Sequence, residues 1–212
     1  HPHRGFETIT MVLSGFVDHS DSFGQAGRYG EGDVQWMTAG AGLQHSEMFP
    51  LIHTDRDNPA ELFQVWLNLP AAGKFATPFY KMLWREQIPV VEFSAPKGNK
   101  TAVRVVAGRL GDHQAPDPAP DSWAADPENQ VAIWLITMEP GAEWELPPAP
   151  VSAQRHLYFY RGDSLRADGA PIASGHGFAV EPGASLHLAA GNEEACLLML
   201  QGKPIAEPVV QY

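Results

Sequence analysis

Cysteine is nearly absent: Cys196 is the only one in 212 residues, so no internal disulfide can form. Its setting in Ala195-Cys196-Leu197-Leu198-Met199 reads as a buried strand thiol, in keeping with a reducing, cytoplasm-like compartment. Positive charge is also scarce. Lys and Arg total 14 against 25 Asp and Glu, a formal net charge of −11. Nucleic-acid affinity rests mainly on Lys and Arg contacts to phosphate, so a balance this acidic argues against direct DNA or RNA binding. Long apolar runs are missing as well. The stretch Ala195 to Leu200 is far below the roughly 20 residues that span a bilayer. No signal-peptide pattern, G-x-S-x-G elbow, P-loop or dinucleotide fingerprint is present, which leaves a serine or cysteine nucleophile without support. The sequence opens at His1 rather than Met and is read as part of a longer chain.

What is abundant is punctuation. Gly (20) and Pro (19) recur every 8 to 15 residues and leave little room for long helices. Between them lie period-two runs rich in aromatic and β-branched residues: Gly32–Met37, Leu62–Leu69, Thr101–Ala107, Val131–Ile136, His156–Tyr160 and Ala195–Leu200. The class is all-β, a sandwich or barrel. The pattern loosens between Pro70 and Asn99, with a short helical turn expected near Trp84–Pro89. It loosens again over Gly111–Asn129, where four prolines and five acidic residues occur without Lys or Arg, a surface loop inside the second half. The halves echo one another. Gly30-Glu31-Gly32 through Gly40 leads to His45, and Gly175-His176-Gly177 through Gly183 leads to His187, as a duplicated barrel predicts.

Two short motifs carry chemistry. His1-Pro2-His3 places imidazoles at i and i+2, the same face of a strand, and Glu7 shares their parity. His45-Ser46-Glu47 repeats the device with a carboxylate. Adjacent strands carrying H-x-H and H-x-E bring four ligands to one ion, and three imidazoles with one carboxylate suit iron, manganese, nickel, copper or zinc. His19, His53 and His113 sit in or beside acidic turns and loops, and His156, His176 and His187 have no H-x-E partner. Where the second half would carry H-x-H it reads Trp144-Glu145-Leu146, so a second metal is not expected. Phe6, Met11, Trp36 and Met48 lie near the ligands in sequence, as pocket wall or as barrel core.

At these residues the sequence resembles the pirin family of the cupin superfamily. The resemblance is carried by His1-Pro2-His3-Arg4-Gly5-Phe6-Glu7-Thr8, by Gly32-Asp33-Val34-Gln35-Trp36-Met37-Thr38-Ala39-Gly40-Ala41-Gly42 continuing to His45-Ser46-Glu47-Met48, by Leu67-Asn68-Leu69 and by the closing Pro208–Tyr212. It is dense over the first 70 residues and loose between 75 and 160. It implies two tandem cupin (double-stranded β-helix, jelly-roll) barrels. One spans 1–85 and binds metal. The other spans 86–212 without metal and ends in a tail that packs back on the first. The family carries further first-barrel strands before the position of His1, so a truncated N-terminal edge is expected.

Residue by residue, the resemblance implies His1, His3, His45 and Glu47 as ligands, with Glu7, where other cupins take their carboxylate, as a supporting or alternative one. It implies an Fe(II)-dependent dioxygenase that opens a flavonol such as quercetin, with Mn, Ni, Cu or Zn as alternative metals. Glu47 is then the base that takes the flavonol hydroxyl proton. The alternative it implies is a non-enzymatic iron-binding regulator, a transcriptional co-regulator or a modulator of a metabolic enzyme, which acts through protein partners. A cytoplasmic monomer is expected in either case, or a nuclear one in a eukaryote.

Overall fold

A computed structural model describes residues 1–208; the closing Val209–Tyr212 of the resemblance lies outside the described residues. Among the described residues the chain is all-β, with strands joined by turns and three short 3-10 turns, arranged in two compact units. No helix among the described residues is long and apolar enough to cross a membrane. Among the described residues, the first compact unit comprises His1–Gln87, Pro116–Ala125 and residues 205–208; the second comprises Ile88–Ala115 and Asp126–Pro204.

In the first unit the strands are β1 (Pro2–His3), β2 (Phe6–Ser14), β3 (Phe16–Asp21), β4 (Ala26–Gly30), β5 (Val34–Thr38), β6 (Leu43–Met48), β7 (Glu61–Asn68) and β8 (Phe79–Leu83). They form two four-stranded sheets, in the orders β1-β6-β3-β4 and β7-β2-β5-β8, antiparallel throughout. The run after Gly32 is the central strand β5, buried at every position. It leaves its sheet through Gly40-Ala41-Gly42. Gly40 has φ +49°, and a β-carbon there would lie 2.1 Å from the Ala76 carbonyl oxygen, so only glycine makes this turn. The turn delivers β6, and with it His45 and Glu47.

The second unit pairs a six-stranded sheet, in the order His176–Val180, Gln154–Arg161, Ala195–Gly202, Ala132–Met138, Lys100–Ala107 and Val90–Ser94, with a four-stranded one. Cys196 is buried in the Ala195–Gly202 strand. Its core is hydrocarbon: Val103, Ile136, Leu157, Phe159 and Leu197 are fully buried in one cluster. The expected helical turn near Trp84 is a single hydrogen-bonded turn, closed by Gln87 N–H donating to the Trp84 carbonyl.

One expectation is corrected. The acidic, proline-rich stretch is not an excursion confined to the second half, because residues 116–125 belong to the first unit. Ala119 is fully buried there, and the Ser122 hydroxyl donates to Glu7. Prolines block ladder pairing but not burial of the small residues between them. Residues 205–208 also belong to the first unit, where Glu207 Oε2 accepts the Ala71 N–H at 2.6 Å.

Candidate metal centre

The site is built on one face of three neighbouring strands. The β1–β6 register sets Pro2 opposite Gln44 and His3 opposite Leu43, which brings His1 beside His45. Two backbone bonds close that pair: His45 N–H to the His1 carbonyl at 3.1 Å and the His1 backbone nitrogen to the His45 carbonyl at 2.9 Å. On the other side of β6, the β3 register sets His19 opposite Glu47 and Asp21 opposite His45. Alternation then places His1, His3, His45, Glu47, His19 and Asp21 on a common face.

The Nε2 atoms of His1, His3 and His45 form a triangle, each 2.9 Å from the other two. His3 and His45 are buried and His1 is exposed, so the triangle is open to solvent on one side. A neutral imidazole nitrogen carries a proton or a lone pair, never both, so protons alone cannot satisfy three mutual contacts. A cation at the centre can. For metal–nitrogen bonds of about 2.1 Å, right-angle octahedral coordination gives edges of about 3.0 Å, against about 3.4 Å for a tetrahedron. The observed edges match one face of an octahedron. Burial, with His3 and His19 facing it, pushes the His45 pKa down to about 4, and burial also lowers that of His3. Both rings are therefore neutral at physiological pH, the form that ligates.

Glu47 stands differently. Its ligating oxygen groups with His45 and His19, all within 4.8 Å of one another, rather than with all three corners of the triangle. Its Oε2 accepts from Gln64 Nε2 at 3.2 Å, and its buried Oε1 closes no hydrogen bond. The buried Tyr29 hydroxyl faces Thr10 and Glu47 without closing a bond of ordinary geometry, and burial with the nearby carboxylate raises its pKa.

His19 is the residue that sequence reasoning missed. It is buried, its Nε2 lies 3.1 Å from Asp21 Oδ2, and its ring centroid lies 5.4 Å from that of His45. Burial opposes ionisation of Asp21, but hydrogen bonds from His19 and from the Gln25 and Phe23 N–H groups outweigh it and hold the pKa low. The signal was present: His19-Ser20-Asp21 has the same H-x-acid alternation as His45-Ser46-Glu47.

Glu7 is in neither ligand group. It is fully buried, and its Oε1 accepts from Trp36 Nε1 at 3.1 Å and Thr38 Oγ1 at 2.7 Å, while Oε2 accepts from Ser122. Of the four candidate wall residues, Phe6 packs edge-on against His3 at 5.2 Å. Met11 and Trp36 are fully buried core, and Met48 is exposed. Among the described residues, both groups of three potential ligands lie in the first unit.

Comparisons with known proteins place the chain in a family. The Pirin family matches residues 1–67 and the Pirin C-terminal cupin domain matches residues 133–212. A Pseudomonas aeruginosa protein named "Putative quercetin 2,3-dioxygenase" is 35% identical over all of this chain and 70% of its own length. A pirin-like protein of Solanum lycopersicum is 32% identical over all of this chain and 67% of its own. Among solved structures, a quercetin 2,3-dioxygenase from Acinetobacter baumannii superposes with TM-score 0.84 at 28% identity, covering this whole chain and 69% of that one. The Escherichia coli pirin solved with nickel(II) shares the fold, with TM-score 0.61 at 20% identity over 96% and 76% of the two chains. The triangle of imidazoles on the first of two barrels thus belongs to a chain that is a member of the pirin family.

Proposed function

We propose that the first barrel holds one divalent transition-metal ion, Fe(II) foremost, on His1, His3 and His45 with Glu47 as fourth donor, and that the protein is a dioxygenase acting on a flavonol-like aromatic. The observation that carries this reading is the 2.9 Å triangle of Nε2 atoms, whose mutual contacts only a cation satisfies. The nickel-bound pirin and the dioxygenase names of the Pseudomonas and Acinetobacter proteins support the metal and the reaction class. When bound, the metal supplies Lewis acidity toward a hydroxyl and a binding position for dioxygen. The protein's own groups do the rest. The His3 and His45 imidazoles stay neutral because burial lowers their pKa, and Glu47, whose Oε1 closes no hydrogen bond, would take the proton of a hydroxyl brought beside it on giving up its place as fourth donor. Phe6 and the exposed Trp66, with ring centroids 4.9 Å apart beside His3, offer an aromatic flank to a planar substrate.

A second reading, a metal-dependent partner-binding protein, draws on one feature. Met48, Phe49, Leu51 and Ile52 form an exposed apolar group at the end of the ligand strand and just beyond it. The experiment that separates the readings is oxygen uptake with quercetin after anaerobic loading with Fe(II), alongside His45→Ala. Turnover lost in the variant establishes the dioxygenase. A loaded protein that consumes no oxygen moves the function to partner binding.

A further inference from the structure

Gln64, on β7, stands between the carboxylate of the site and the aromatic side chains beside it. Its Nε2 donates to Glu47 Oε2 at 3.2 Å and to Thr10 Oγ1 at 3.3 Å, and its Oε1 accepts from Trp66 Nε1 at 3.1 Å. The indole N–H is a donor only, so the Gln64 atom facing it must be oxygen. Trp66 therefore fixes which end of the amide meets Glu47. It is the NH2 group, and only a donor suits a carboxylate. The outcome is an asymmetric carboxylate, with Oε2 tied and Oε1 buried without a partner.

We propose that Gln64 is a positioning residue that ties down one oxygen of Glu47, so that this carboxylate offers a metal a single oxygen and one more coordination position stays open to an outside ligand. This rests on the metal reading above. A carboxylate with both oxygens free can chelate and close that position; one whose second oxygen accepts an amide N–H cannot do so without losing the bond. Trp66 acts through Gln64 by holding its amide in the required sense. Trp66 is 62% exposed, so its ring can be altered without disturbing the core.

The test uses Co(II) as the metal and azide as the outside ligand, followed through the visible ligand-field bands of Co(II). Wild-type protein is expected to take up one equivalent of Co(II) and to bind azide. Gln64→Leu is expected to keep Co(II) at equal or tighter affinity, to show altered bands before azide is added, and to bind azide at least about tenfold more weakly. Trp66→Phe keeps the aromatic face but loses the N–H, and is expected to change azide binding in the same direction by less. The proposal is overturned if azide binds Gln64→Leu as it binds wild-type protein, or if that variant loses Co(II). Should Gln64→Leu fail to fold, Trp66→Phe decides in the same way. Wild-type protein that takes up no Co(II) overturns the metal reading itself, which keeps the two failures distinct.

Discussion

Thr8, His19, His45 and Glu47 each bury a polar atom that closes no hydrogen bond within the first unit. In the second unit Val103, Ile136, Leu157, Phe159 and Leu197 pack in one fully buried hydrocarbon cluster, with Thr101 Oγ1 and Trp134 Nε1 as the buried polar atoms without partners among the described residues. An unpaired buried polar group costs free energy, while packed hydrocarbon supplies it. The two barrels share a fold and differ in what their interiors are for. Both bury apolar side chains, but the first also buries imidazole and carboxylate atoms that close no hydrogen bond.

The sharpest way to break this comparison is to damage the apolar barrel alone. Phe159 is fully buried, and Phe159→Ala is expected to cost about 3–5 kcal/mol, read from urea unfolding. Metal affinity, measured by Co(II) titration of the folded variant, should be unchanged. A parallel fall in affinity would show that the polar barrel depends on the packing of the other.

The reverse experiment loads the polar barrel. A metal at about 100 times its Kd stabilises the folded state by about 2.7 kcal/mol. For a chain of this size that raises Tm by roughly 5–10 °C. His45→Ala should abolish the shift in a thermal melt with and without Co(II). An equal shift in the variant would remove His45 from the site.

How much of this was legible follows from the same contrast. The strands were readable because alternation and glycine turns are local, and the H-x-H and H-x-E motifs because residues two apart on a strand share a face. His19 was passed over although its own alternation with Asp21 is just as regular. What makes it part of the site is the register of β3 against β6, and register is a tertiary property. Gln64 meets Glu47 from a strand of the other sheet. Ser122 reaches Glu7 across 115 residues, from a stretch whose prolines and acids read as solvent-facing. Met11 and Trp36 lie close to the ligands in sequence yet are core.

A smaller effect tests the cost of polarity directly. Thr8 is fully buried and its hydroxyl has no partner, so Thr8→Val keeps the shape and removes an unpaired group. A gain of about 1 kcal/mol is expected. The mirror change, Val103→Thr in the apolar barrel, should lose about 1–3 kcal/mol. Both are read by urea unfolding of the metal-free protein. A loss in Thr8→Val would mean that its hydroxyl is satisfied in solution.

The smallest effect lies at Glu7, where a buried carboxylate serves packing rather than ligation. Burial raises its pKa, the neighbouring Asp121 adds to this, and hydrogen bonds from Ser122, Thr38 and Trp36 pull it partly back. The folded protein thus keeps the proton to higher pH than the unfolded chain, whose carboxyl titrates near about 4.3. Between those values the folded state binds more protons, so stability falls as pH rises; the contribution is complete below the unfolded value and lost above the folded one. Glu7→Gln copies the protonated form: its oxygen still accepts from Trp36 and Thr38, and its NH2 can donate to Ser122. The variant should therefore melt with wild-type protein at acid pH and gain on it toward neutrality, by about 2–4 °C for each kcal/mol of ionisation cost removed. A Tm difference independent of pH would show that Glu7 titrates alike in both states and that its three donors cancel the cost of burial. The first barrel would then tolerate a buried charge at Glu7 by the same means it uses to hold Asp21 ionised beside His19.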